Sequence, residues 1–62
     1  MKNYVVYDRQ GIIQKTGHCP TDMLELQAGQ NEFVMEGQAD EESDLIDVAA
    51  KTVLRNARKQ HT

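Results

Sequence analysis

Residues 3–17, NYVVYDRQGIIQKTG, set two β-prone runs on either side of a turn and load both faces of the resulting hairpin with large apolar side chains. Tyr4, Val5, Val6 and Tyr7 are β-branched or aromatic, the types that fit a pleated, half-buried surface. Asp8 is suited to open the turn, and Gly11 tolerates positive φ. Ile12 and Ile13 resume β character, which stops at Gly17. The spacing predicts strands over residues 3–7 and 12–16 joined by a four-residue loop. Neighbouring side chains of a strand point to opposite faces, so YVVY and GII give the hairpin two apolar faces. A chain of 62 residues is one domain at most and buries only about 60% of its unfolded surface. One face is therefore expected to pack inside and the other to meet a partner or a second copy. On this reading Tyr4, Tyr7, Ile12, Ile13, Phe33 and Met35 are candidate interface residues, with Arg55 and Arg58 adding charge complementarity.

So small a scaffold ordinarily needs a disulfide, a metal or a partner subunit. One cysteine cannot form an internal disulfide, and a structural zinc site wants four ligands where this chain offers Cys19, His18 and His61. Docking on a larger protein, or association of several copies, is the expectation that remains. The start, MKNYVVYDRQ, holds only a four-residue apolar-aromatic run, too short for a signal-peptide core or a membrane span, so a soluble chain without membrane contact is expected. The free thiol suits a reducing compartment.

Beyond the hairpin, GHCP at residues 17–20 reads as a structural corner: Gly17 bends the chain and Pro20 biases Cys19 to an extended conformation. Thr21 or Asp22 is placed to cap a short helical turn near 21–28 that Gly29 would close, although Met23, Leu24, Leu26 and Ala28 fit neither the helical nor the strand period. Phe33, Val34 and Met35, between turn-prone Asn31 and Gly37, read as a short strand. QADEESD reads as an exposed acidic loop over 38–44. Over residues 43–59 two readings compete. Ser43 as a cap, acids before bases, and Ile46, Ala50, Val53 and Ala57 at helical spacing favour a helix. LIDV pairing with TVLR across AAK makes a hairpin instead.

The charges are segregated. Residues 36–47 carry six acids and no base, whereas residues 51–62 carry four bases (Lys51, Arg55, Arg58, Lys59) and no acid. Four bases near a terminus read as a solvated tail over 57–62 rather than a nucleic-acid site, and neutralisation of the acidic segment, within the chain or between subunits, is the expected use of the basic end.

His18 beside Cys19 invites a nucleophile, but adjacent strand residues face opposite ways, and no base, orienting group or oxyanion site has the needed spacing. Cys19 is expected to pack as a small apolar group. DEESDLID lacks the central glycine of a calcium loop, so its acids read as solvated. No residue is assigned a catalytic, cofactor-binding or metal-binding role.

Four stretches taken in order carry a resemblance: YVVYDRQGIIQKTGHCP (4–20), LQA (26–28), VMEGQAD (34–40) and DVAAKTV (47–53). The chain resembles short proteins, and N-terminal segments of longer ones, encoded among the tail and tail-fibre genes of tailed bacteriophages. In these the pattern runs roughly YxxYDxxGRIxxxGxCP, LQA, GExVxEGxAD and YVDVATGxVxPR. The resemblance implies a virion component, in the host cytoplasm during assembly, that binds tail, neck or fibre proteins in several copies; a fibre-assembly helper absent from the mature particle, a capsid decoration protein and a small regulator of a host protein are the alternatives. It also implies a hairpin over 47–53, although Ala50 and Lys51 stand where the pattern has Thr and Gly, and residues 54–57 lack its proline. The fold expected is small and mainly β: hairpin, corner, strand, acidic loop and second hairpin, with an α+β fold carrying a helix over 43–59 as the alternative.

Overall fold

The computed structural model describes residues 1–59 of the chain. Strand β1 (Lys2–Asp8) pairs antiparallel with β2 (Ile13–Cys19) on one side and with β3 (Glu32–Glu36) on the other, giving a three-stranded sheet of order β2-β1-β3. A 3-10 segment, Thr21–Gln27, connects β2 to β3. A second, two-stranded sheet follows, β4 (Leu45–Asp47) with β5 (Thr52–Leu54), and the described chain ends in a 3-10 turn over Ala57–Lys59.

The first turn forms for the reasons its residues suggest. One Asp8 carboxylate oxygen accepts the N–H groups of Gln10 and Ile12 at 2.9 and 3.0 Å, closing an Asx-type turn. Gly11 takes φ 84° and donates to the Asp8 carbonyl. It also does what the sequence does not announce. The Gly11 carbonyl accepts the Ile46 N–H at 2.8 Å, and a Cβ at position 11 would collide with the Ile46 carbonyl oxygen. With the Ile12–Leu45 bridge, this turn is the joint between the two sheets.

Strand β1 is buried on both faces. Val5 and Tyr7 point to one side and pack with Ile13 and Ile46, bordered by Met35, Ala39, Val48 and Val53. Tyr4 and Val6 point to the other and pack with Cys19, bordered by Leu24 and Val34. Val5 and Val6 are both fully inaccessible. The expectation that one apolar face must be left for a partner is therefore corrected. Tyr4, Tyr7 and Ile13 are buried within the chain itself at 9%, 3% and 3% exposure. A central strand between two edge strands presents little edge of its own, and thin covers suffice: the second hairpin on one face, the 3-10 segment on the other.

The 3-10 segment explains the apolar pattern that fitted no period. Its side chains repeat every three residues, and Leu24 and Gln27 are its half-buried positions while Met23 and Leu26 stay exposed. Pro20 occupies the N-terminal boundary and its carbonyl accepts the Met23 N–H, so Thr21 and Asp22 make no cap. Extended Ala28, not Gly29, ends the segment. Gly17 does not bend the chain: it sits within β2 opposite Tyr4, and a Cβ there would stand 2.8 Å from the Tyr4 hydroxyl oxygen. Glycine makes room for the aromatic ring across the strand pair. The corner falls at Pro20, with Cys19 buried beside Tyr4 and His18 exposed.

Residues 45–54 form the hairpin, and the helix alternative over 43–59 is absent. Ile46 pairs with Val53, and Asp47 caps the turn by accepting the Ala50 N–H on its side chain and the Lys51 N–H on its carbonyl. Lys51 takes φ 57°, the left-handed conformation that glycine adopts most readily. Ser43 caps nothing; it is buried and its carbonyl accepts the Arg58 N–H. That bond ties down the segment expected to be a solvated tail, of which residues 60–62 lie outside the described residues.

The acidic loop is likewise not simply solvated. Asp44 is 3% exposed. Its carboxylate accepts the backbone N–H of Asn56 at 2.8 Å, the backbone N–H of Asp40 at 3.0 Å and the Arg55 guanidinium at 3.1 Å. These contacts, the Asn56 N–H first, hold its pKa below the ordinary carboxylate value even though burial alone would raise it. The Arg58 guanidinium donates to the Glu41 carbonyl at 2.8 Å. The segregated charges thus meet within the chain.

Candidate interaction surface

Hydrogen-bond alternation along β1 decides which backbone groups remain open. The Asn3 carbonyl accepts the Gly37 N–H, so Asn3 faces β3. Backbone groups alternate sides along an antiparallel strand, and Val5 and Tyr7 therefore bond β3 through their partners Met35 and Phe33. Val34 and Glu36 then turn their N–H and C=O groups away from β1, toward the open edge of the sheet. By the same alternation Thr16 and His18 turn outward on β2.

The two edges differ. Strand β2 is interrupted by a bulge, where β1 partners skip from Lys15 to Ile13, and Lys15 projects from its middle. Bulges and lysines are the usual devices that blunt an edge. Strand β3 is regular over its five residues, with an apolar centre, Phe33-Val34-Met35, and a glutamate at each end. Phe33 is 43% exposed and lies against Tyr7 with ring centroids 5.7 Å apart.

A groove of about 370 Å³ accompanies this edge. Phe33 and Val34, which point to opposite faces of the sheet, both line it, so it lies along the margin of β3 rather than over either face. Glu25 and Ala28 border it from the 3-10 side, and Val48 and Lys51 from the turn of the second hairpin. The Glu32 carboxylate accepts the Gly29 N–H at 2.8 Å, which fixes its place at one end. At the other end Glu36 makes a loose, exposed ion pair with Lys2 at 3.8 Å.

Of the residues the sequence singled out as interface, two line this groove: Phe33 with an exposed ring, and Tyr7 buried at its floor. Met35 is half-buried against the core, Ile12 forms the bridge to Leu45, and Arg55 and Arg58 are engaged by Asp44 and by the Glu41 carbonyl. Sequence reasoning missed Glu25, Ala28, Glu32, Val48 and Lys51. One signal was present: an apolar strand flanked by like charges, EFVME, is the composition of an edge strand.

Cys19 is buried and His18 exposed, and among the described residues no group of three His, Cys, Asp or Glu side chains is placed to hold a metal ion; His61 lies outside them. Among the described residues no helix is long and apolar enough to cross a membrane. No family model matches the chain, and neither a curated protein nor a solved structure matches it significantly.

Proposed function

We propose that the chain is a small, non-enzymatic structural component of a tailed-phage virion, which docks on a larger tail, neck or fibre-attachment protein and is present in several copies. The ordered resemblance over about residues 4–55 supports the virion setting. The open edge of β3 with its groove carries the binding reading: backbone donors and acceptors, an exposed aromatic ring and a bordered channel lie together on one side of the molecule. Exposed sheet edges are standard sites for pairing with a strand of another protein.

The test is mass spectrometry of purified phage particles from the source of the sequence, with copy number measured against the portal protein. A fixed stoichiometric ratio is expected. Complete absence from mature particles overturns the structural role and leaves a transient assembly helper or a regulator of a host protein.

A further inference from the structure

We infer that β3 takes up an extended strand of its partner by β-addition, and that this strand carries basic residues at the positions facing Glu32 and Glu36 with an apolar residue facing Val34. The inference rests on the binding reading above but not on the virion setting. Three observations lead to it. Val34 and Glu36 turn their backbone groups outward, so an added strand is registered by hydrogen bonds at these positions. Glu32, Val34 and Glu36 share one face of the sheet, so residues directly opposite them on an added strand meet their side chains. The groove beside Val34 is bordered by Ala28 and Glu25, which favours an apolar group between cationic ends.

The same charges reject a second copy. Two β3 strands pairing antiparallel about Val34 would set Glu32 of each against Glu36 of the other, and like charges directly opposite are destabilising. The edge is thus closed to itself and open to a basic strand, which is specificity by repulsion as well as attraction. Strand β2 offers no such pattern, since its bulge and Lys15 oppose any added strand.

The experiment is amide NMR on the whole chain, titrated with two synthetic peptides capped at both ends. One has the sequence Ser-Lys-Thr-Val-Thr-Lys-Ser, and in the other glutamate replaces both lysines. The lysine peptide is expected to move the amide signals of residues 32–36, with Val34 and Glu36 moving most, and to bind at least about tenfold more tightly than the glutamate peptide. Added salt weakens the difference. The variant E32K/E36K is expected to invert the preference. Equal response to both peptides, no response at residues 32–36, or shifts centred on residues 14–18 overturns the proposal. Concentration-dependent shifts of Val34 without peptide also overturn it, by making a second copy the occupant. The chain's presence in or absence from phage particles does not bear on these outcomes.

Discussion

The two hairpins of this molecule reach the same topology by different routes. In the first, seven-residue strands carry β-branched and aromatic side chains, and Asp8 and Gly11 satisfy the turn locally. In the second, three-residue strands flank a turn that puts a lysine at φ 57°. Left-handed backbone costs a non-glycine residue about 1–2 kcal/mol. The second hairpin persists because other parts hold it. Gly11 bonds Ile46, Ile46 packs into the core beneath Val5 and Tyr7, and buried Asp44 gathers Asp40, Arg55 and Asn56 around its base. The first hairpin is locally encoded, and the second is borrowed from tertiary contact.

The comparison is broken most completely at the joint. Gly11→Ala forces a left-handed alanine and drives a Cβ into the Ile46 carbonyl. Thermal or urea unfolding should show a loss of about 2 kcal/mol or more. That is a large share of the stability available to a chain of this size. NMR on any folded remainder should show the β4–β5 signals lost before those of β1–β2.

Next in size is Asp44→Ala, which strips the N–H groups of Asn56 and Asp40 of their buried acceptor. Its effect should depend on pH. The carboxylate's pKa is lower in the folded chain than its ordinary 3.8. Its contribution is therefore fully present above that value and is lost as the pH falls below it, through the depressed folded value. Melting curves of the parent chain and the variant should differ at neutral pH and converge in acid.

Smaller, and of opposite sign, is Lys51→Gly. Glycine takes φ near 57° without steric cost, so the variant should gain roughly 0.5–1 kcal/mol in denaturant unfolding. A loss would mean that the Lys51 side chain does more for the turn than its backbone costs. Smallest is Arg55→Ala. The Arg55 side chain is 64% exposed and Asp44 keeps two backbone donors without it, so a change below about 1 kcal/mol is expected.

The same contrast explains how much was legible in the sequence. The first hairpin, the short β3 strand and the mainly-β class follow from period, turn residues and β propensity, all local signals. For the second hairpin, helical spacing of Ile46, Ala50, Val53 and Ala57 competed with the strand reading, because three-residue strands leave almost no periodic signal. Gly17 was misread because a glycine opposite an aromatic ring looks, in sequence, like a glycine at a bend. Asp44 was misread because one buried acid among exposed ones carries no mark of its own; its burial depends on Arg55 and Asn56, eleven and twelve residues further on. The open surface was hidden for a related reason. A short chain with two apolar hairpin faces seems bound to leave one bare, whereas two thin covers close both, and the open surface is an edge. An edge is a property of strand order, which composition does not record.

The claim beneath all of this is that the chain covers both faces of its first hairpin by itself and leaves the margin of β3 open. Hydrogen exchange measured by NMR on the monomeric chain tests it most directly. The account predicts that the amides of Tyr4, Val5, Val6 and Tyr7 exchange only through global unfolding, whereas the outward-facing amide of Val34 exchanges far faster. Rapid exchange at Val5 or Val6, or protection of Val34 in the monomer equal to theirs, would contradict it.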